Sequence, residues 1–378
     1  MLAGVNLELS DDQQIFRDTV RRFIEGETPI ATVRQLHETD DGFDRGWWTR
    51  AADLGWSSLL ASEAAGGGSL SGRPVADAAM VAEEIGRFAS PGPFLPVNVV
   101  ASALSADRGE DHADALSSLV TGASVAAWAF GEPGSQWKPE RFTTTADVDG
   151  EEIVLRGTKA YVEAATAADY LLVTGRTGDR VTQALVPRGT PGLTVEPARS
   201  LDLTKRFGLV HLEEVRLPLS ATVGDVGGAD GPVERQFDLA VVLQCAETVG
   251  GLDRVLEFTL EYMGDRYAFG RPISSYQALK HRIADLVLML ESAKGCVDAA
   301  IVSLDQESDG AALDASVAKA YVGSVAMHIV QECMQFHGGI SVTWEHDIHL
   351  YLRRATVNRA VLGTPEEHRE RICSLLGI

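Results

Sequence analysis

The chain has 378 residues, of which 45% are apolar and 23% are charged, as in a globular protein of two to three domains. Its 33 lysine and arginine residues stand against 54 aspartate and glutamate residues, giving a formal net charge of −21 at pH 7. A surface this acidic repels phosphate backbones, so we expect no general binding to nucleic acid. A local basic pocket for a small phosphorylated molecule is still compatible with this charge.

The cysteines and the chain start bear on metal sites and compartment. The four cysteines are scattered and form no Cys-x-x-Cys motif, so the sequence carries no local zinc signature and we predict no metal site. The first residues lack the basic stretch and apolar core of a signal peptide. No apolar run reaches the roughly 18 residues that a membrane span needs. We therefore predict a cytoplasmic protein without a membrane span.

The first zone, residues 1–122, has helical periodicity. Ser10 and Gln13 form a capping box, and apolar residues then recur at helical spacing. Further helices are predicted over 44–54 and 75–87. The prolines that follow are predicted to break the chain; they are Pro91, Pro93 and Pro96. We interpret this zone as an N-terminal helical domain.

The second zone, residues 123–232, is typical of β-structure. Short apolar runs are bounded by turn residues, as in a sandwich or barrel. The predicted strands lie within 124–130, 142–146, 152–156, 170–174, 182–186 and 210–215. The third zone, residues 233–378, returns to long helices, predicted over 233–266, 275–300 and 311–335, with a polar linker at 305–310. The sequence thus predicts an α+β protein with a middle β-domain and a C-terminal four-helix bundle.

Two interruptions of the third zone carry residues suited to a dinucleotide. Arg266 precedes a turn at Gly270 and Pro272, and Gln277 begins the next helix. An arginine there offers a rigid donor fork for a pyrophosphate, although a capping turn with a surface arginine is the plain alternative. Gly338 and Gly339 end another helix, and paired glycines allow a ligand to approach closely, although they also serve as ordinary helix stops.

Taken together, the motifs resemble those of the acyl-CoA dehydrogenase family over essentially the whole chain. Each motif is weak alone, but six in the family's order are specific. They are Leu9–Gln13, Asp53–Trp56 with Glu63–Gly67, Gly131–Gly134, Gly157–Val162 with Ala168–Asp169, Arg266–Gln277, and Gln335–Gly339 with Gly363–Thr364. The segments Asp202–Phe207 and Thr343–Arg354 look closest to an actinobacterial branch associated with steroid side-chain β-oxidation, which includes paired, two-gene enzymes.

The resemblance implies FAD held between the β-domain and the helical domains, across a subunit interface. By motif matching, Arg266 and Gln277 would contact the FAD of a neighbouring subunit, and Phe269 would lie against the adenine end. Tyr161 and Val162 would lie beside the flavin ring. The remaining cofactor positions implied by the motifs are Gln335, Gly338, Gly339 and Thr364.

The implied reaction removes the α-proton of an acyl-CoA while a β-hydride passes to the flavin, and it needs a carboxylate base in a dry pocket. The family's usual position for this glutamate is Leu362 here, and its alternative position is Ala240. Glu247 lies seven residues after Ala240, two helical turns along nearly the same face. We therefore predict Glu247 as the catalytic base; the alternatives are a surface glutamate or one paired with a buried arginine.

Three further departures separate the chain from an ordinary fatty-acid enzyme. Gly131 replaces the Thr or Ser that usually bonds the flavin edge, Val241 replaces an Arg that contacts CoA phosphate in several relatives, and Ser341 replaces the last glycine of the Gly-Gly-x-Gly pattern.

Three functions follow as hypotheses. The first is an FAD-dependent acyl-CoA dehydrogenase for a steroid or branched acyl-CoA, passing electrons to electron-transferring flavoprotein. The second is a non-catalytic, FAD-sharing subunit of a mixed tetramer, which Leu362 and Ala240 favour. The third is a flavin monooxygenase on the same fold, a function that no residue of the sequence specifically indicates. Motifs at an interface imply a homo- or hetero-tetramer.

Overall fold

The computed structural model describes residues 9–107, 109, 111–134 and 137–378. Residues 1–8, on which the prediction about a signal peptide rests, lie outside the described residues. Six helices come first: α1 (Asp11–Glu27), α2 (Ile30–Leu36), α3 (Arg45–Asp53), α4 (Pro74–Arg87), α5 (Phe94–Ala106) and α6 (Ala113–Val120). The predicted order of helices, β-domain and helices is confirmed.

The starts of the N-terminal helices follow from local sequence. The capping box at Ser10 and Gln13 is formed, and Asp44 caps α3 by accepting a hydrogen bond from the Trp47 amide. The prediction that Pro96 breaks the chain is wrong. α5 begins at Phe94, so Pro96 lies in the first turn, where a backbone N–H has no intrahelical acceptor to lose.

The middle of the chain forms one mixed sheet of eight strands. They are β1 (Ala126–Ala129), β2 (Thr145–Asp149), β3 (Glu152–Glu163), β4 (Tyr170–Thr177), β5 (Arg180–Pro187), β6 (Leu193–Ala198), β7 (Phe207–Pro218) and β8 (Thr222–Val223). The order is β6-β7-β3-β2-β4-β5-β8, and β1 pairs in parallel with β4. Most pairings are antiparallel, and β3 is twice as long as its apolar run in the sequence indicated.

After the sheet, the described chain has five helices, which form the predicted C-terminal helical domain. They are α7 (Asp230–Asp265), α8 (Gln277–Asp305), α9 (Ala311–His337), α10 (Ile348–Ala360) and α11 (Pro365–Leu376). A two-stranded hairpin, β9 (Tyr267–Ala268) and β10 (Arg271–Pro272), joins α7 to α8. α9 packs against all four other helices of this region. No helix in the described ranges has the length and hydropathy needed to cross a bilayer.

Helices α4 and α7 cross at an unusually short distance. A methyl group on Gly86 would lie 1.7 Å from the Glu247 carbonyl oxygen, and one on Gly250 would lie 1.9 Å from the Glu83 carbonyl oxygen. Only glycine permits backbones to approach this closely. The N-terminal domain is therefore pressed directly against the turn of α7 that carries Glu247.

Candidate functional site

One group of predicted residues lies at a single end of the C-terminal helices. Arg266 follows the last residue of α7, and Gln277 is the first residue of α8. The hairpin between them is held by a hydrogen bond from the Tyr276 hydroxyl to the Ala268 carbonyl, 2.8 Å. Phe269, at the hairpin tip, has a φ of +52° and is 99% exposed. A left-handed backbone is uncommon for a phenylalanine, and the hairpin holds the ring in solvent at this tip.

The end of α9 joins the same group. Tyr262 near the end of α7 donates to the His337 carbonyl oxygen over 3.3 Å, and the two rings lie 4.4 Å apart. Arg282 near the start of α8 bonds Glu332 on α9. Gln335, Gly338 and Gly339 are therefore brought to the end that carries Arg266 and Gln277, and all three are exposed.

This end fits the anionic and aromatic parts of a dinucleotide. Within the described ranges, the Arg266 guanidinium has no carboxylate within ion-pair distance. The N-cap of α8 makes no side-chain hydrogen bond, so its first amides remain available to a phosphate. Methyl groups on Gly338 and Gly339 would meet nothing within 4 Å, which leaves open space there.

The second group lies where β3 ends. A β-bulge interrupts the β3–β7 register between Lys159 and Val162. Tyr161 consequently has a φ of +57° and is 40% exposed, whereas Val162 is buried. The Tyr161 ring packs 5.6 Å from that of Trp137. A bulge that redirects an aromatic side chain to the surface suits a wall for a flat ring.

Gly131 makes room for Trp137. A methyl group on Gly131 would lie 2.6 Å from Cζ3 of Trp137, so the indole fills the space that a Thr or Ser side chain would take. The buried indole N–H of Trp137 has no acceptor within the described part of the chain. Tyr161 and Trp137 thus form an aromatic surface at the end of β3.

A buried ion pair fixes this aromatic surface, and the sequence analysis did not single it out. Lys159 Nζ lies 2.9 Å from Glu132 Oε1 and donates to the Phe130 carbonyl over 3.0 Å. Burial opposes ionisation of Glu132, but Lys159 and amide hydrogen bonds from Thr143 and Thr144 lower its pKa to about 2. Both charged residues lie inside motifs that were used only for the resemblance.

Glu247 is 4% exposed and lines a small pocket of about 10 Å³, the room that one water molecule needs. Apolar walls come from α4, α5 and α7, and the polar lining consists of Ser90, Glu163, Lys205 and Glu247. Glu247 therefore faces a small pocket, and its role as the catalytic base stays a prediction. Ala240 is fully buried, and Leu362 is buried with a φ of +63°.

Five charged side chains meet behind this pocket. Lys205 Nζ lies 2.8 Å from Glu247 Oε2 and 3.3 Å from Glu163. Arg354 Nη1 lies 2.8 Å from Glu247 Oε1, and its Nε lies 3.0 Å from Asp202. Glu247 thus combines two of the alternatives considered from sequence: it faces a pocket, and it pairs with a buried arginine.

The sequence reasoning missed the partners of Glu247. Lys205 and Asp202 lie in one segment, and Arg354 in the other, of the two segments quoted for the actinobacterial resemblance. Their distance from Glu247 along the chain gave no local signal. Lys205 stands beside Arg206 and Arg354 beside Arg353, so neither differs in the sequence from an ordinary exposed cation.

Thr364 has a structural role that the motif did not reveal. Its hydroxyl accepts from the Glu367 amide over 3.2 Å, and Glu367 accepts from the Thr364 amide over 2.7 Å, a capping box that starts α11. His368 on the same turn bonds the Leu362 carbonyl over 2.8 Å. The described residues bring together no set of three metal-ligating side chains.

Comparison with known proteins gave consistent matches along the chain. Residues 10–111 match the model of the acyl-CoA dehydrogenase N-terminal domain, residues 127–212 the middle domain, and residues 232–376 the C-terminal domain. The chain is 31% identical over 367 residues to acyl-CoA dehydrogenase IpdE2 of Mycolicibacterium smegmatis, covering 96% of this chain and 98% of that protein.

Two solved structures have the same fold at 25% identity. The ChsE4-ChsE5 complex from Mycobacterium tuberculosis has a TM-score of 0.88 and covers 98% of both chains. The Tcur3481-Tcur3483 steroid ACAD has a TM-score of 0.88 and covers 97% of both chains.

Proposed function

The chain belongs to the acyl-CoA dehydrogenase family, and from this premise we propose that it dehydrogenates the α,β bond of an acyl-CoA thioester with Glu247 as the base. It is an oxidoreductase acting on acyl-CoA, with FAD as its cofactor. FAD, when bound, accepts the β-hydride. The finer assignment of Glu247 is carried by one observation: it is a carboxylate in a pocket beside the Tyr161 strand end.

The side chains around Glu247 support its role as proton acceptor. Lys205 and Arg354 each lie 2.8 Å from one of its oxygens and hold the carboxylate in a fixed orientation. The Arg354 contact has no hydrogen-bond geometry, so Oε1 keeps an unused lone pair within the described residues. The apolar walls at Ala82, Ile85 and Leu243 exclude water, which strengthens a carboxylate as a base.

We further propose a steroid or branched acyl group as substrate and a tetramer, with itself or a related subunit, as the working assembly. The steroid substrate is supported by the similar steroid ACAD, and a mixed assembly by the similar ChsE4-ChsE5 complex. Glu247 and Arg266 are 19 residues apart in a continuous helix, about 28 Å along its axis. Such separation fits a cofactor whose two ends are contacted by different subunits, with electron-transferring flavoprotein as acceptor.

The test is the visible spectrum of the purified chain before and after anaerobic addition of acyl-CoA thioesters, including steroid thioesters. Flavin that is bleached by one class establishes a self-sufficient dehydrogenase and identifies its substrate class. Flavin that no class bleaches, while an unrelated chemical reductant bleaches it fully, contradicts the proposal.

The second candidate is a non-catalytic subunit that holds FAD for a catalytic partner. It is favoured by Leu362 and Ala240, which place apolar side chains at both usual base positions. Co-expression with a second member of the family distinguishes the two. Turnover that appears only in the mixed complex and survives Glu247→Gln supports the second candidate.

A further inference from the structure

We infer that Glu163 is a positioning residue that stays a neutral carboxylic acid and, through Lys205, leaves Glu247 as the ionised carboxylate of the pocket. Only the role of Glu247 as the catalytic base depends on the proposed function. The protonation of Glu163 follows from the packing and is tested separately.

The contacts of the two glutamates with cations are unequal. Glu247 meets two cations, each at 2.8 Å, one on each carboxylate oxygen. Glu163 meets only Lys205, with both of its oxygens at 3.3 Å. Shorter and more numerous cation contacts favour ionisation of Glu247 over Glu163.

Within the contact cluster carboxylates outnumber cations by one, which favours one added proton; the nearby Lys319 lies outside these contacts and acts on Glu247. Three carboxylates, those of Glu163, Asp202 and Glu247, face two cations, Lys205 and Arg354. With all five groups ionised, the net charge would be −1 in a buried space, which is costly. One added proton makes the contact cluster neutral.

The surroundings assign that proton to Glu163. Although burial opposes ionisation of Asp202, Arg354 and hydrogen bonds from Thr204 hold its pKa below the ordinary value. Burial raises the pKa of Glu163 above the ordinary value, and Lys205 offsets this only in part. The pocket walls facing it from α4 and α5 are Ala82, Ile85, Phe94 and Leu95, which offer no charge.

The other charged groups near the cluster also support a proton on Glu163. Lys319 on α9 donates to Gln244 and to the carbonyls of Asn358 and Val361, and its charge acts on Glu247 rather than Glu163. Glu84 on α4 pairs with Arg21 at 2.7 Å, away from the cluster. A neutral Glu163 thus leaves Glu247 as the proton acceptor of the pocket, so that two carboxylates acquire two roles from their environments.

The first test is infrared absorption of the flavin-loaded full chain near neutral pH. The wild type should show the band of a buried protonated carboxyl group, and Glu163→Gln should lose it. Glu83 supplies a second such group, because burial raises its pKa to about 8, so Glu83→Gln is the matched control that loses its own band only. Loss of the band in Glu247→Gln, with retention in Glu163→Gln, would overturn the inference.

The second test is the pH profile of flavin bleaching by an acyl-CoA. Glutamine reproduces the shape and neutrality of a protonated glutamate, so Glu163→Gln should keep the midpoint of the wild-type pH profile. An ionised Glu163 would instead make the substitution remove a charge beside Lys205, and a shifted midpoint would contradict the inference. If the band behaves as expected but the wild type never bleaches, the inference stands and the proposed function fails.

Discussion

Replacing Gly86 or Gly250 by alanine tests whether the α4–α7 contact sets the position of Glu247. A methyl group at these sites would lie 1.7 Å and 1.9 Å from carbonyl oxygens, whereas real contacts of this kind stay above 3.0 Å. Both oxygens belong to the backbone, so the helices themselves must separate by more than 1 Å. That separation would also displace the Glu247 backbone relative to Lys205.

The magnitude follows from two opposing effects. Alanine is favoured over glycine in a helix by about 0.5–1 kcal/mol. Overpacking of a close contact costs about 1–3 kcal/mol, and more when a rigid backbone must shift. We expect a net loss of about 1–2 kcal/mol for each variant, together with slower flavin bleaching by an acyl-CoA.

Gly264→Ala is the matched control for thermal unfolding and bleaching. Gly264 lies on α7 as well, and a methyl group there meets nothing within 4 Å. The control should gain up to about 1 kcal/mol and bleach like the wild type. Equal stability and equal bleaching for Gly86→Ala, Gly250→Ala and Gly264→Ala would refute the reasoning.

Three other variants probe the remaining features. Lys205→Met leaves Glu247 with one cation and Glu163 with none, so chemical denaturation should show a loss of about 3–5 kcal/mol, and a loss below 1 kcal/mol would contradict the buried cluster. Burial lowers the pKa of His368 to about 3, so below pH 6.5 the unfolded chain binds a proton that the folded chain refuses, and stability falls as pH falls towards 3. Urea titrations between pH 4 and 6 measure how steeply the free energy of unfolding falls with pH. In His368→Gln this slope should be smaller by up to about 1.4 kcal/mol per pH unit, and an unchanged slope would contradict the prediction. Arg266→Ala should weaken the retention of FAD on gel filtration at least tenfold. The control is Arg271→Ala in the adjoining hairpin, where the Arg271 guanidinium packs on the Tyr276 ring, and it should retain FAD like the wild type. Equal retention in the two variants would reject the contact between Arg266 and the diphosphate.

The sequence predicted most elements because their signals are local. The capping box at Ser10 and the long apolar periodicity of α7 need no knowledge of the rest of the chain. The prediction failed at Pro96, where proline is tolerated because the first turn of a helix has no intrahelical N–H bonds to lose.

The candidate site was harder to predict from the sequence, because its contacts join segments that lie far apart along the chain. Glu247 could be chosen by counting helical turns from Ala240, but Lys205 and Arg354 reach it from a loop and from another helix. Nor does the sequence show that the Trp137 indole fills the space that a side chain at position 131 would need. Motif matching located the regions, and packing supplied the partners.

The most direct measurement of the central claim is the rate of anaerobic flavin bleaching by one acyl-CoA in the wild type and in Glu247→Gln, each loaded with equal flavin. The account predicts that the wild type bleaches and that Glu247→Gln, with its flavin retained, loses at least a hundredfold in rate, since a positioned base contributes about 10²–10⁴-fold. Equal rates in the two proteins would show that another group takes the α-proton.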